Sequence, residues 1–101
     1  MAKLELPVYD MSTGEKVKTL QRNVMPVGLY IRFQELSEKL QTNEITKDRD
    51  MFEALRDLLL ETFPELTAEE YMNGVDVADA LVIFRDILNK ATKISAGNSK
   101  N

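Results

Sequence analysis

Apolar residues recur in this chain first with a period near two and then with a period near 3.6, and the change falls around residue 23. In the first stretch Leu4 and Leu6 share one face of a strand, with Val8 expected on the opposite face. Pro7 has no amide proton to donate, which places this strand at a sheet edge or ends it early. Asp10-Met11-Ser12-Thr13-Gly14 reads as a turn, and Lys16-Val17-Lys18-Thr19-Leu20 alternates loosely after it. Residues 3–20 therefore predict a hairpin. A lone hairpin is marginal in water, so it must rest on helices or on a partner chain.

The second stretch predicts helices. Asn23 lies in an N-cap region, Pro26 suits a first turn, and Leu29, Phe33, Leu36 and Leu40 fall on one stripe that runs to about Gln41. Thr42-Asn43 ends that helix. A second begins near Lys47 or Asp48, with Thr46 as its cap, and buries Met51, Phe52, Leu55, Leu58 and Leu59. It stops at Phe63, because Pro64 disfavours helical geometry in the residue before it. Thr67-Ala68-Glu69-Glu70 is a capping box that opens a short helix, which Gly74 would close in a left-handed conformation. Asp76 caps the last helix, and Asp79 sits near the positive end of its dipole. Val77, Ala80, Leu81, Phe84, Leu88 and Ala91 are expected along its buried side.

The fold class that follows is mainly α: a small N-terminal β-hairpin followed by three long helices and one short helix. Residues 1–94 make a single domain, and residues 95–101, with little to bury, are expected to form a disordered tail.

Composition narrows the chemistry. The chain has 101 residues, no cysteine and no histidine, so thiolate chemistry, disulfides and the commonest general base are absent. The net charge of −4, with lysine and arginine dispersed, offers no basic face for nucleic acid. No apolar run has the length of a membrane span, and Met1-Ala2-Lys3-Leu4-Glu5 does not open a signal peptide. The default reading is cytoplasmic. Asp48-Arg49-Asp50 begins like a calcium loop, but the next ligand position is Phe52 and the central glycine is missing. Helix-dipole and capping roles account for these acids and for Asp76, Asp79, Glu69 and Glu70. Tyr9, Tyr30 and Tyr71 are not interleaved with basic residues, and no glycine-rich loop precedes a lysine. No catalytic, cofactor-binding or metal-binding residue is assigned, and no cofactor is expected.

The informative residues are apolar ones that miss the core stripes. Ile31 lies opposite its helix's stripe, flanked by Glu35 and Glu38. Leu60 lies among Arg49, Glu53 and Arg56, and Val82 lies near Asp86 and Asn89. Single exposed apolar residues are ordinary, yet one on each long helix of so small a chain points to protein contact. Ile31, Leu60 and Val82 are the candidate protein-contact residues.

The chain also resembles a family. The features are the hairpin from Leu4 to Leu20, Met25-Pro26-Val27-Gly28-Leu29-Tyr30 opening a helix, and Leu66-Thr67-Ala68-Glu69-Glu70-Tyr71. Gly74-Val75-Asp76-Val77-Ala78-Asp79-Ala80-Leu81 leading to Phe84, and a tail rich in Gly, Asn, Ser and Lys, complete them. Together these look like the tail assembly chaperones of long, non-contractile-tailed (siphovirus-type) phages and prophages of Gram-positive bacteria. The resemblance implies a protein of the infected cell's cytoplasm that is absent from the mature virion. It implies a chaperone that coats the tape measure protein, keeps it soluble and helps recruit the tail tube protein, in part through a frameshift-extended form. It also implies a homo-oligomer, with no enzymatic activity. The alternatives are a small acidic adaptor or inhibitor of another protein, and a structural head–tail connector component.

Overall fold

The computed structural model describes the backbone of residues 3–99 and the side chains of residues 3–90. Strands β1 (Leu4–Asp10) and β2 (Glu15–Arg22) form a two-stranded antiparallel sheet. Leu4, Leu6 and Val8 are all buried, so Val8 lies with the two leucines rather than opposite them. The pairing runs unbroken through Pro7, and alternation therefore carries the face on to Val8. The register slips only after Val8: Val8 pairs with Lys18 but Tyr9 with Lys16, which leaves Val17 as the extra residue of a bulge.

The turn is held by Asp10. Its carbonyl accepts from Gly14 at 2.7 Å and Thr13 at 3.2 Å, and its carboxylate accepts from the Ser12 amide and hydroxyl at 2.9 and 2.6 Å. The Ser12 hydroxyl, with the amides behind it, holds the Asp10 carboxyl below the usual carboxylate range. Gly14 sits at φ +75°, where a side chain would be strained.

Helix α1 (Val27–Gln41) starts on Pro26, whose carbonyl accepts from Tyr30 at 2.9 Å. It ends in a full Schellman arrangement. Glu44 N–H donates to Lys39 at 2.9 Å and Asn43 N–H to Leu40 at 3.4 Å, with Asn43 at φ +64°. Helix α2 (Asp48–Thr62) has Lys47 as its N-cap, with no side-chain cap bond. Thr46 is one residue too early to cap it, and Asp48 and Asp50 in the first turn complement the dipole instead. The helix ends where Pro64 requires: Phe63 is extended, at φ −122° and ψ 91°, and fully buried. Helices α3 (Ala68–Gly74) and α4 (Val77–Ser99) follow. The segment expected as a tail, residues 95–101, lies outside the residues whose side chains are described.

The architecture is thus mainly α, with the hairpin leading three long helices and one short one. The inner face of β1 packs on α4 and α3, while α1 packs on both α2 and α4. Phe33 of α1 meets Phe84 of α4 with ring centroids 6.2 Å apart and planes at 42°. Leu55, Leu58, Leu59 and Phe63 close the core from the α2 side. Burying each such side chain stabilises the fold by roughly 1.5–3 kcal/mol, which is how a two-stranded sheet persists here.

An apolar groove between three helices

The short helix α3 is fixed at three points. Its start is the capping box: the Glu70 amide donates to Thr67 Oγ1 at 3.0 Å and the Thr67 amide to Glu70 Oε1 at 3.0 Å. Its middle is tied to α2 by Tyr71, whose hydroxyl donates to the Phe52 carbonyl at 2.9 Å. Burial of that ring pushes the Tyr71 phenol up to about 12, against a smaller opposing pull from Arg56. Its end lies against the hairpin. A Cβ on Gly74 would stand 3.0 Å from both the Tyr9 carbonyl and Val8 Cγ1. The expected left-handed terminator at Gly74 is therefore corrected: among the described residues the positive-φ glycine is Gly14, and Gly74 is needed for close approach.

Lys18 of β2 adds an ion pair to Glu70 at 2.8 Å. This contact, together with the Thr67 amide, lowers the Glu70 carboxyl below its ordinary value. Asp76 then turns the chain into α4, accepting from the Ala78 amide at 3.0 Å.

Helix α4 buries Ala80, Ile83, Phe84 and Ile87, with Leu88 partly covered. Val77 and Leu81, expected in that stripe, are 62% and 42% exposed. Projected at 100° per residue, they stand on the shoulder of the buried stripe. Ala91 lies outside the residues whose side chains are described.

What Val77 flanks is a groove of about 230 Å³ lined by Phe52, Tyr71, Met72, Val75, Val77 and Ala80. Met72 is 60% exposed on its rim. The lining carries no charged side chain, and the charges within one turn of it in sequence are of both signs. Asp48 lies one helical turn before Phe52, and Asp76 lies between Val75 and Val77. The cation one turn after Phe52, Arg56, has a carboxylate of its own, Asp57, at 3.1 Å.

The three sequence candidates fall on different faces. Ile31 is exposed on α1, one turn after Val27, which is exposed as well. Val82 is exposed on α4, on the side turned away from Phe84. Because α1 and α4 meet through Phe33 and Phe84, Ile31 and Val82 point away from each other. Leu60 is not on a wet face: it is half-buried and packs against the core. The groove itself was missed because Met72 stands alone in its helix and Val77 and Leu81 read as core. The available signal was the breadth of the apolar arc on α4, wider than one packed side needs.

Among the described residues no three metal-binding side chains converge, and no buried side-chain polar atom lacks a partner. No described helix is long and apolar enough to cross a membrane. No curated protein and no solved structure matches the chain. A family model described as phage tail chaperone protein matches residues 1–101, in agreement with the resemblance carried by the hairpin, the capping box and the start of α4. The chain belongs to the phage tail chaperone family.

Proposed function

We propose that this chain is a non-enzymatic assembly chaperone that holds the tape measure protein in solution and helps bring tail tube subunits to it. It acts in the cytoplasm of the bacterial host and leaves before the virion is complete. Membership of the phage tail chaperone family supports this reading over an acidic adaptor or a head–tail connector. The structural observation that carries it is the groove rimmed by exposed Met72 and Val77, an apolar surface left open among the described residues. Contacts between copies of the chain would use the outer faces marked by Ile31 and Val82. Leu60, half-buried, would contribute at the edge of the core rather than as a free surface.

The test is co-expression with a tape measure fragment. The fragment is expected in the soluble fraction with the chain and in the pellet without it, and the chain is expected to be absent from purified particles. Equal solubility with and without the chain would remove the reading. For self-association, Ile31→Lys and Val82→Lys are expected to lower the mass measured by light scattering across concentration. Unchanged mass in both variants would show that these faces are not used.

A further inference from the structure

We infer that the chain has a second interaction surface, on the hairpin side of α3, which takes a polypeptide segment presenting an apolar side chain beside a lysine or arginine. The surface is a recess of about 420 Å³ between the end of the hairpin and α3, with a lining that includes Asp10, Met11, Val17, Glu69, Glu70 and Asn73. It is distinct from the apolar groove. At 100° per residue, Glu69, Glu70, Asn73 and Gly74 occupy one face of α3, and Tyr71 and Met72, which line the groove, occupy the opposite one. The inference therefore goes beyond the chaperone reading and does not depend on what fills the groove.

The bulge supplies the first reason. Lys18 reaches toward α3, where its ammonium meets Glu70 at 2.8 Å. In a regular strand its neighbour Val17 would face away from α3. Val17 is instead the extra residue of the bulge, and it lines the recess with Glu69 and Glu70. A bulge can re-aim a side chain in this way. The valine so aimed is 63% exposed, and Met11 in the turn is 55% exposed. Two apolar side chains thus face a concave surface that is left open among the described residues.

Charge selects the occupant. The lining holds the carboxylates of Asp10, Glu69 and Glu70 and no lysine or arginine. Lys18 is paired with Glu70, and Lys16, whose strand partner is Tyr9, lies outside the lining. Glu69 makes no ion pair among the described residues. An incoming cation therefore meets uncompensated acid next to the apolar contact. The segment docks through its side chains, because the bulge interrupts the even ladder that an added strand needs. A second copy of this chain fits poorly. Of the cations within one turn of its exposed Ile31 and Val82, Arg32 is paired with Glu61 and Arg85 with Asp86.

The test uses three short synthetic peptides. One sets leucines beside arginines, the second replaces the arginines with glutamates, and the third replaces the leucines with serines. The leucine–arginine peptide is expected to bind about tenfold more tightly than either of the others at low salt, with amide shifts centred on Val17, Glu69 and Asn73. Its lead over the glutamate peptide should narrow as salt rises. Val17→Ser and Glu69→Lys, both at exposed positions, should each weaken binding about tenfold at an unchanged melting temperature. Met72→Ser, on the groove side of α3, should leave binding as it is.

Equal affinity for the three peptides, wild-type binding by both Val17→Ser and Glu69→Lys, or shifts centred on Val75 and Val77 would overturn the inference. A concentration-dependent mass that Val17→Ser abolishes, with no peptide bound by the wild type, would give the recess to a second copy and overturn it as well.

Discussion

Arg22, the last residue of β2, donates from its Nε to the carbonyl of Thr62, the last residue of α2, at 2.8 Å. That carbonyl is one of the orphans every helix leaves at its C-terminus, and the Leu66 amide, which would reach it in a continuing helix, donates to the Phe63 carbonyl at 2.9 Å instead. A guanidinium there also faces the negative end of the α2 dipole. Arg22→Ala should destabilise the fold by about 1–2 kcal/mol in urea denaturation, and Arg22→Lys by less. An alanine variant as stable as wild type would mean that water replaces the bond at no cost.

Gly74 gives the opposite kind of prediction, from space rather than bonding. Alanine is the better helix former by roughly 1 kcal/mol, yet its Cβ would press on the Tyr9 backbone oxygen and Val8 Cγ1 at 3.0 Å. The backbone of a paired strand yields less readily than the end of a flexible side chain. Gly74→Ala should therefore be net destabilising, by about 1 kcal/mol, and Gly74→Val by more. A rise in melting temperature for Gly74→Ala would show that the hairpin moves aside freely.

The Lys18–Glu70 pair makes the seating of α3 on the hairpin sensitive to acid. The folded-state pKa of Glu70 is depressed from the ordinary 4.5. Its contribution is therefore fully present above the unfolded value and is lost as pH falls through the lowered folded value. Amide exchange in α3 should quicken over that acid range in the wild type. Glu70→Gln should flatten the response, and an unaltered acid profile in that variant would assign the sensitivity elsewhere.

Tyr71 responds at the other end of the scale. With its folded pKa raised to about 12, its stabilising contribution is intact below the unfolded value near 10 and is lost as pH rises from there through about 12. Tyrosinate absorbance should show a step near pH 12 that disappears in Tyr71→Phe. At neutral pH that variant should lose about 1 kcal/mol, the worth of the bond to the Phe52 carbonyl.

These four positions show what the sequence reveals and what it hides. Features set within a few residues are legible: Pro64 ending α2, Thr42-Asn43 ending α1, and the Thr67–Glu70 box. So is the fold class, since the two periods are local properties. Gly74 could be seen as special but not why, because Tyr9 and Val8 approach it from a distant strand. Val77 and Leu81 belong to the same apolar arc as Phe84, and only the placement of neighbouring elements decides which of them is covered. Leu60 errs the other way, a residue among charges in projection that the tertiary packing half covers. The groove depends on such coverage, and so no motif announces it.

The extra residue at Val17 has a last consequence. A two-stranded sheet leaves its outer backbone groups free to template further strands, the usual route to amyloid-like growth. The bulge breaks the even spacing that an incoming strand would need, and Lys16 beside it adds charge. The β2 side of the sheet is thus an edge too irregular to take on a further strand readily.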